Sequence, residues 1–149
     1  MEKTLVLIKP DAVERNVIGE IITFYEKNNL KVTNLKMLKA SKDTAERHYE
    51  EHKGRPYFEE LISYITRSPL CALVIEGEDA IAKVREINGS TDPEKASKNT
   101  IRGNFALSKT ENSVHASDSR ENAEREINIW FETESTSNFS IGNLLLGNV

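Results

Sequence analysis

The sequence predicts an α/β fold of the α+β type, a four-stranded antiparallel sheet with helices on its faces. Short apolar or alternating runs typical of strands recur along the chain, and apolar residues at helical spacing lie between them. The chain of 149 residues is 38% hydrophobic and 30% charged, a composition that suits one globular core. We therefore expect residues 1–149 to form a single domain.

The first three elements follow from local patterns. Residues 4–8 are β-branched or apolar, and Pro10 ends this strand because proline cannot continue a central ladder. Apolar residues then recur at helical spacing, and Asn28 closes the predicted helix. Residues 31–38 alternate and predict a half-exposed second strand. The residues of the helical stripe are Ile18, Ile21, Ile22 and Tyr25.

The next stretch predicts two helices in succession. The capping side chains of residues 41–43 precede a charged helix over residues 44–51, and Pro56 with its neighbours breaks the chain. A second helix is expected over residues 57–66. Because the two helices are close in sequence, we expect a helical hairpin that forms a flap over a cleft.

The second half of the chain adds two strands and two helices. Residues 70–76 are the strongest core strand, and Glu78 or Asp79 is expected to cap the helix that follows. Residues 88–111 then carry little apolar pattern, and structureless loops of that length are often functional. The last strand holds Val114 and His115.

The last helix is expected over residues 119–131, where Asp118 and Glu121 resemble a capping box. Without the flap the order of elements is βαββαβ, which is the ferredoxin-like arrangement. The tail, residues 132–149, becomes apolar at its end, and we expect it to dock on its own domain or on a neighbouring subunit. Its apolar residues are Ile141, Leu144, Leu145 and Leu146.

Composition excludes several classes of protein. The net charge of −4 argues against binding to nucleic acid through phosphate neutralisation. The single cysteine, Cys71, lies in an apolar run and is expected to be a buried structural thiol. No apolar run approaches the roughly 18 residues of a membrane span, and the N-terminus reads as a strand rather than a signal peptide. We expect a cytoplasmic protein that binds neither membrane nor a specific nucleic acid.

Three histidines are the first candidates for chemistry. His48 and His52 have the i, i+4 spacing of a metal pair but no evident third ligand, and we expect both on a solvated helix surface. His115 is flanked by serines and precedes a helix. Composition alone favours a hydrogen-bonded structural role for His115, with a nucleophilic role as the alternative.

The long loop shifts that balance towards phosphate chemistry. It contains Thr91, Thr100 and Arg102, with Arg85 on the preceding helix and Lys9 at the end of the first strand. Guanidinium groups suit phosphate oxygens because they are planar and always charged. The chain has no P-loop sequence, no protein-kinase sequence motifs and no cysteine and histidine set at zinc spacing.

Several segments together resemble the nucleoside diphosphate kinase family. The octapeptide NSVHASDS at residues 112–119 is similar to the family's active-site sequence. The resemblance extends over residues 3–133, with further segments in the family's order and spacing. These are IKPD at 8–11, RPY at 55–57, GSTDP at 89–93, TIRG at 100–103 and EREI at 124–127.

The resemblance implies a reaction and a nucleophile. Such enzymes transfer the γ-phosphoryl group of a nucleoside triphosphate, such as ATP, to a nucleoside diphosphate by a ping-pong mechanism through a phosphohistidine. They thereby make nucleoside triphosphates other than ATP. His115 is then the nucleophile, Glu126 orients its ring through the other nitrogen, and Ser117 positions Glu126 and contacts the transferred phosphate.

The remaining roles also come from the resemblance. Lys9 and Tyr49 are expected to stabilise charge on the γ-phosphoryl group, and Lys9 and Asn112 to contact the sugar 3′-hydroxyl. Mg²⁺ is the expected cofactor, held mainly by nucleotide phosphates and water, so no protein metal site is expected.

The same resemblance assigns the rest of the nucleotide. Arg85, Thr91 and Arg102 are expected to hold the β- and α-phosphates. Tyr57 is expected to stack on the base with Leu61 beside it, and stacking tolerates different bases.

Three residues depart from the family's usual pattern. Ala116 replaces the usual glycine and would be strained if the backbone there needed a positive φ, but not if it were extended. Lys109 replaces an apolar residue over the base, where its methylene stem could still cover the ring. Glu111 replaces a residue that is commonly basic.

Family members assemble as tetramers or hexamers, and the resemblance implies a homo-oligomer, for which we favour a hexamer over a tetramer. Two other functions remain as alternatives at this stage. One is a ferredoxin-like binding or regulatory module that has lost catalysis, and the other is a nucleic-acid binder. The second lacks the aromatic pair on a strand that such sheets use.

Overall fold

The computed structural model describes residues 1–132, so the predicted docking of the apolar tail concerns residues that lie outside it. Four antiparallel strands form one sheet in the order β2-β3-β1-β4. This arrangement confirms the predicted antiparallel sheet of the ferredoxin-like type. The strands are β1 (Glu2–Ile8), β2 (Lys31–Leu38), β3 (Leu70–Gly77) and β4 (Val114–Ala116).

Seven α-helices are described on and around this sheet, and two of them were not expected. The unexpected ones, α1 and α6, are five residues each, so neither completes the two turns over which helical spacing becomes visible. A 3₁₀ turn, Glu50–His52, follows α3, and a π-helical segment, Asn128–Glu132, follows α7. The α-helices are α1 (Pro10–Glu14), α2 (Ile18–Glu26), α3 (Lys42–His48), α4 (Phe58–Ile65), α5 (Ala80–Asn88), α6 (Ile101–Phe105) and α7 (Arg120–Ile127).

Both unexpected helices begin in ways that the sequence allows. Pro10 is the first residue of α1, where its missing N–H needs no partner. At α6 the Thr100 hydroxyl accepts the Gly103 N–H at 3.1 Å. Gly103 is required there because a Cβ would clash with the Ser97 carbonyl oxygen. The predicted loop over residues 88–111 is therefore interrupted by a helix.

Two of the predicted helix caps are wrong. Asp79 lies at the start of α5 with a φ of 52° and makes no capping bond; the Glu2 carboxylate instead accepts the Ile81 N–H at 2.8 Å. At α7 the Ser119 hydroxyl, not Asp118, accepts a backbone N–H of the first turn, that of Asn122 at 3.1 Å. By contrast, Ser41 caps α3 as predicted.

The core lies on both faces of the sheet. Alternate residues of β1 point to opposite sides: Val6 and Ile8 join the cluster beneath α2 and α5, and Leu5 and Leu7 join the cluster beneath α3 and α4. Burial of each such side chain stabilises the fold by about 1.5–3 kcal/mol. The helical hairpin α3–α4 is thereby fixed against the sheet as the predicted flap. The described residues contain no helix long and apolar enough to cross a membrane.

Strand pairing then sets up the site. Leu7 of β1 is paired with His115 of β4, so both side chains lie on the face that the α3–α4 hairpin covers. The residue after β1, Lys9, donates its backbone N–H to the Ser113 carbonyl at 2.8 Å. The C-terminal end of β1 and the N-terminal end of β4 therefore lie next to each other.

Candidate active site

A chain of hydrogen bonds fixes the imidazole of His115. Its Nε2 lies 3.0 Å from Glu126 Oε1 on α7, and the same oxygen accepts the Ser117 hydroxyl at 2.6 Å. That hydroxyl oxygen in turn accepts the Leu5 N–H of β1 at 3.3 Å. Because an ionised carboxylate only accepts, the proton of neutral His115 belongs on Nε2, and Nδ1 keeps a free lone pair.

Glu126 is ionised in this arrangement. Burial alone would raise its pKa, but the hydrogen bond and charge of His115, the Ser117 hydroxyl and the charge of Arg125 hold the pKa of this carboxyl below its ordinary value. Only 5% of Glu126 is exposed, and its carboxylate is held in place by the side chains that donate hydrogen bonds to it.

Lys9 is a buried cation beside His115. It is 8% exposed, and burial, reinforced by the charge of Arg102 and opposed by Asp11, lowers its pKa to about 8. Its Nζ donates to Asn112 Oδ1 at 2.9 Å, and Asn112 Nδ2 donates to the Lys109 carbonyl at 2.9 Å. Lys9 and Asn112 are thus positioned as one unit.

Two arginines are anchored by backbone carbonyls. Arg102 donates to Gly89 O at 2.7 Å and to Val114 O at 2.8 Å, while its buried Nε has no partner within residues 1–132. Arg85 donates to Ala116 O at 3.5 Å. Both guanidinium groups keep further N–H donors, so they can bind an anion without giving up these anchors.

Most of the predicted site residues meet at one cavity of about 230 Å³. Three larger cavities, of about 390, 610 and 660 Å³, lie elsewhere on the described residues and contain no histidine. We place the candidate site at the 230 Å³ cavity because it brings His115 together with several cations. Predicted residues that line it are Lys9, Arg85, Thr91, Arg102, Asn112, His115 and Glu126.

Four predicted residues lie outside that lining. Ser117 is buried behind Glu126, and Tyr49 is 8% exposed with its ring edge-on to that of His48, 4.7 Å away. Tyr57 is 43% exposed and its hydroxyl is 2.8 Å from His52 Nδ1, while Leu61 is half-buried against the flap-side core. Tyr57 and Leu61 belong to the flap, and Tyr57 reaches the cavity through His52, which is one of its lining residues.

The prediction that His48 is solvated is wrong. His48 is 3% exposed, its ring centre is 4.6 Å from that of His115, and its Nδ1 accepts the Trp130 indole N–H at 3.1 Å. Ala45, His48 and Tyr49 lie at i, i+3 and i+4 and are all buried, a spacing that could have revealed this face. His52 is half-buried and lies in the 3₁₀ turn after α3.

The three departures from the family pattern leave these contacts in place. Ala116 lies in β4, paired with Val6, and its φ is not positive, so the methyl group adds no backbone strain. Lys109 is exposed, with its Nζ 3.9 Å from Asp92. Glu111 pairs with Arg67 at 2.8 Å.

Comparison with known proteins agrees with this geometry. The sequence model of the nucleoside diphosphate kinase family matches residues 2–136. The nucleoside diphosphate kinase of Clostridium perfringens is 63% identical over 131 residues, 88% of this chain and 92% of its own length. That of Sulfurisphaera tokodaii is 57% identical over 134 residues, 90% of this chain and 91% of its own length.

Solved structures give the same result. The Aquifex aeolicus nucleoside diphosphate kinase superposes with a TM-score of 0.84 at 41% identity, covering 87% of this chain and 94% of that one. The Encephalitozoon cuniculi enzyme gives 0.86 at 37% identity, covering 88% and 89%. On sequence, fold and the match of nearly its whole length, this chain belongs to the nucleoside diphosphate kinase family.

Proposed function

We propose that this nucleoside diphosphate kinase transfers the γ-phosphoryl group through phosphorylated His115. The observation that carries the proposal is the chain from Ser117 through Glu126 to His115 Nε2, with distances of 2.6 and 3.0 Å. It leaves Nδ1 as the nucleophilic nitrogen and orients the ring before substrate binds.

The two half-reactions balance on this nitrogen. In the first, the Nδ1 lone pair forms a bond to the γ-phosphorus, and the bond to the β–γ bridging oxygen breaks with its electrons leaving on the nucleoside diphosphate. In the second, a terminal oxygen of another nucleoside diphosphate attacks that phosphorus, and the N–P electrons return to Nδ1. Glu126 stabilises the positive charge that the ring carries in between.

The cations around the cavity suit the phosphates. Lys9 is assigned to the γ-phosphoryl group and, with Asn112, to the sugar 3′-hydroxyl. Arg85, Arg102 and Thr91 are assigned to the β- and α-phosphates. Phosphoryl transfer depends mainly on positioning and on stabilisation of spread negative charge, and these lining residues supply both.

Tyr49, Tyr57 and Leu61 complete the proposed site from the flap side. The Tyr49 hydroxyl would act on the γ-phosphoryl group from beside His48, and burial, aided by the negative charge of Glu126, raises the pKa of this hydroxyl, so it acts as a neutral donor. Tyr57 would stack on the base, with Leu61 beside it. The exposure of Tyr57 on the flap leaves its ring open to a ligand.

We propose Mg²⁺ as the cofactor, held mainly by nucleotide phosphates and water. Mg²⁺ keeps several waters and needs few protein ligands. Among the described residues that line the cavity, Glu126 is engaged by His115, so Asp118 and Glu51 are the carboxylates that can accept hydrogen bonds from metal-bound water. When bound, the ion would neutralise charge on the phosphates.

Labelling with ATP carrying a radioactive γ-phosphate tests the proposal. The native chain should retain an acid-labile, base-stable label without any acceptor, and His115→Ala should lose both label and exchange activity while keeping the native circular dichroism spectrum. His52→Ala is the matched histidine control and should still be labelled. Undiminished labelling of His115→Ala would overturn the assignment, and no turnover by a folded native chain with several nucleotide pairs would favour the non-catalytic alternative.

A further inference from the structure

A second imidazole, that of His48, lies directly against His115 and has no role in the chemistry above. Its ring stands at 81° to that of His115 with the centres 4.6 Å apart. A ring nitrogen of His48 lies within 4.8 Å of one of His115 and of a carboxylate oxygen of Glu126. His48 is also enclosed, with 3% of its surface exposed.

Trp130 determines which nitrogen of His48 carries the proton. An indole N–H can only donate, and Trp130 Nε1 donates to His48 Nδ1 at 3.1 Å. Burial is the main cause that lowers the pKa of His48 well below its ordinary value, and the positive charges of Lys9 and Arg125 lower it further, as would protonation of His115 or His52. The ring is therefore neutral, Nδ1 holds a lone pair, and the proton belongs on Nε2.

We propose that His48 is a positioning residue for the nucleophile. Trp130 locks it as the neutral Nε2–H tautomer, and its ring holds the His115 imidazole in the orientation that directs Nε2 to Glu126 and Nδ1 to the phosphorus. The inference rests on the proposed role of His115. A half-turn of the His115 ring about its Cβ–Cγ bond would put ring carbons where Nε2 meets Glu126 and where Nδ1 faces the phosphorus, and the edge-to-face packing of His48 opposes that turn.

The same tautomer disfavours a metal centre formed by His48, His115 and Glu126. Two histidines and a carboxylate have the composition of a transition-metal site. Coordination through His48 Nε2 would move the proton to Nδ1, where it would face the N–H of Trp130. Two donors would then oppose each other in a buried space, so the arrangement favours positioning over metal binding.

The test measures phosphorylation of the full-length enzyme by excess ATP and Mg²⁺ in a single turnover. His48→Phe keeps a ring of similar size without nitrogens, and we expect phosphorylation at saturating ATP to slow by at least about tenfold, as for a misplaced reacting group. The ATP concentration for half-maximal rate should not change. His48→Gln, whose amide can accept from Trp130 and still present an N–H, should keep most of the rate.

Ile65→Val is the matched control. Ile65 is fully buried in the same apolar cluster as Tyr49 and Trp130, so the variant should lower the melting temperature and leave the rate at saturating ATP unchanged. A folded His48→Phe enzyme with the native rate would overturn the inference. The inference would also be overturned if His48→Phe were slow at low ATP but reached the native rate at saturating ATP. That pattern would indicate weaker binding of ATP rather than a misplaced nucleophile.

A second measurement does not depend on the folding of His48→Phe. Nitrogen NMR of ¹⁵N-histidine-labelled protein should show His48 neutral, with Nδ1 unprotonated and Nε2 protonated, between about pH 6 and 8, where an ordinary histidine titrates. Trp130→Phe should mix the tautomers and slow phosphorylation. A protonated Nδ1 in the native enzyme would overturn the inference, whereas a native enzyme that takes no label at His115 would overturn the proposed function itself.

Discussion

At the scale of single residues, Lys9 is a buried cation whose charge the fold opposes. Its pKa is about 8 against an ordinary 10.5, with burial as the main cause. The free enzyme should therefore lose this cation as pH rises through about 8, and kcat/KM for ATP should fall there because it reports the free enzyme. A pH profile of native enzyme and Lys9→Gln checks this. The variant should be about a hundredfold slower and lack the Lys9 limb.

The same depressed pKa has the opposite effect on stability. Between pH 8 and 10.5 the unfolded chain holds more protons on Lys9 than the folded chain, so this residue makes the free energy of unfolding rise with pH. Urea titrations of native enzyme and Lys9→Gln at both ends of that pH range measure the free energy of unfolding, and so separate the effect of Lys9 on stability from its effect on activity. An alkaline fall in kcat/KM that persists in Lys9→Gln would assign it to another group.

The negative charge of Glu126 can be removed by a substitution that nearly preserves the shape of the side chain. Glu126→Gln keeps an oxygen that can accept from His115 Nε2 but removes the negative charge that stabilises the phosphorylated ring. We expect kcat to fall by about a hundredfold, within the range for a lost acid–base partner, with little change in KM. Steady-state kinetics with ATP and a second nucleoside diphosphate measure both. A larger effect on KM than on kcat would place Glu126 in substrate binding instead.

The contrast between His115 and His48 shows what sequence could supply at this scale. His115 was assigned through a resemblance that spans many segments, since its own composition favoured a structural role. His48 was misassigned because the charged residues around it suggested a solvated helix. The spacing of Ala45, His48 and Tyr49 could have indicated that His48 lies on a buried face. It could not indicate what covers His48, because Trp130 and His115 lie far away in sequence.

At the scale of elements, the start of α7 distinguishes two adjacent polar residues. Ser119 accepts the Asn122 backbone N–H at 3.1 Å, while Asp118 accepts the Asn122 side-chain amide at 2.6 Å. We expect Ser119→Ala to lower the free energy of unfolding by about 1 kcal/mol, as for a lost N-cap, and Asp118→Ala to lower it less. Denaturant titrations of the two variants measure both losses of unfolding free energy. A larger loss in Asp118→Ala than in Ser119→Ala would mean that Asp118 is the cap.

Strands β1, β2 and β3 and the longer helices could be predicted because each spans at least seven residues, which is enough to show an apolar run or a period. Residues 31–38 alternate, and α2 and α4 carry apolar stripes that match their observed bounds closely. The short helices α1 and α6 depend instead on Pro10 and on the Thr100 cap. Arg102 lies in α6, so the part of the long loop that sequence described least well is also the part that carries a residue proposed to bind phosphate.

At the scale of the whole molecule, β2 is an edge of the sheet, with β3 as its neighbour. It exposes two large apolar side chains, Leu35 at 58% and Met37 at 55%. An edge strand has unpaired backbone groups, and exposed apolar residues beside them mark an interaction surface. We therefore propose that this edge contacts another copy of the chain, and we expect a hexamer rather than a tetramer.

Solution mass tests that assignment. The native protein should have six times the 16.8 kDa mass of one chain, and Leu35→Glu combined with Met37→Glu should give a smaller species because two charges per subunit would be buried without partners. Thr33 is exposed on the same strand, so Thr33→Glu is the matched control. It adds a charge to β2 and leaves Leu35 and Met37 in place, so it should not reduce the mass. A native mass of four chains would support the tetramer, and an unchanged mass in the double variant would move the interface away from β2. Because each chain carries its own His115, Glu126 and Lys9 around one cavity, a dissociated but folded double variant should still be labelled by ATP.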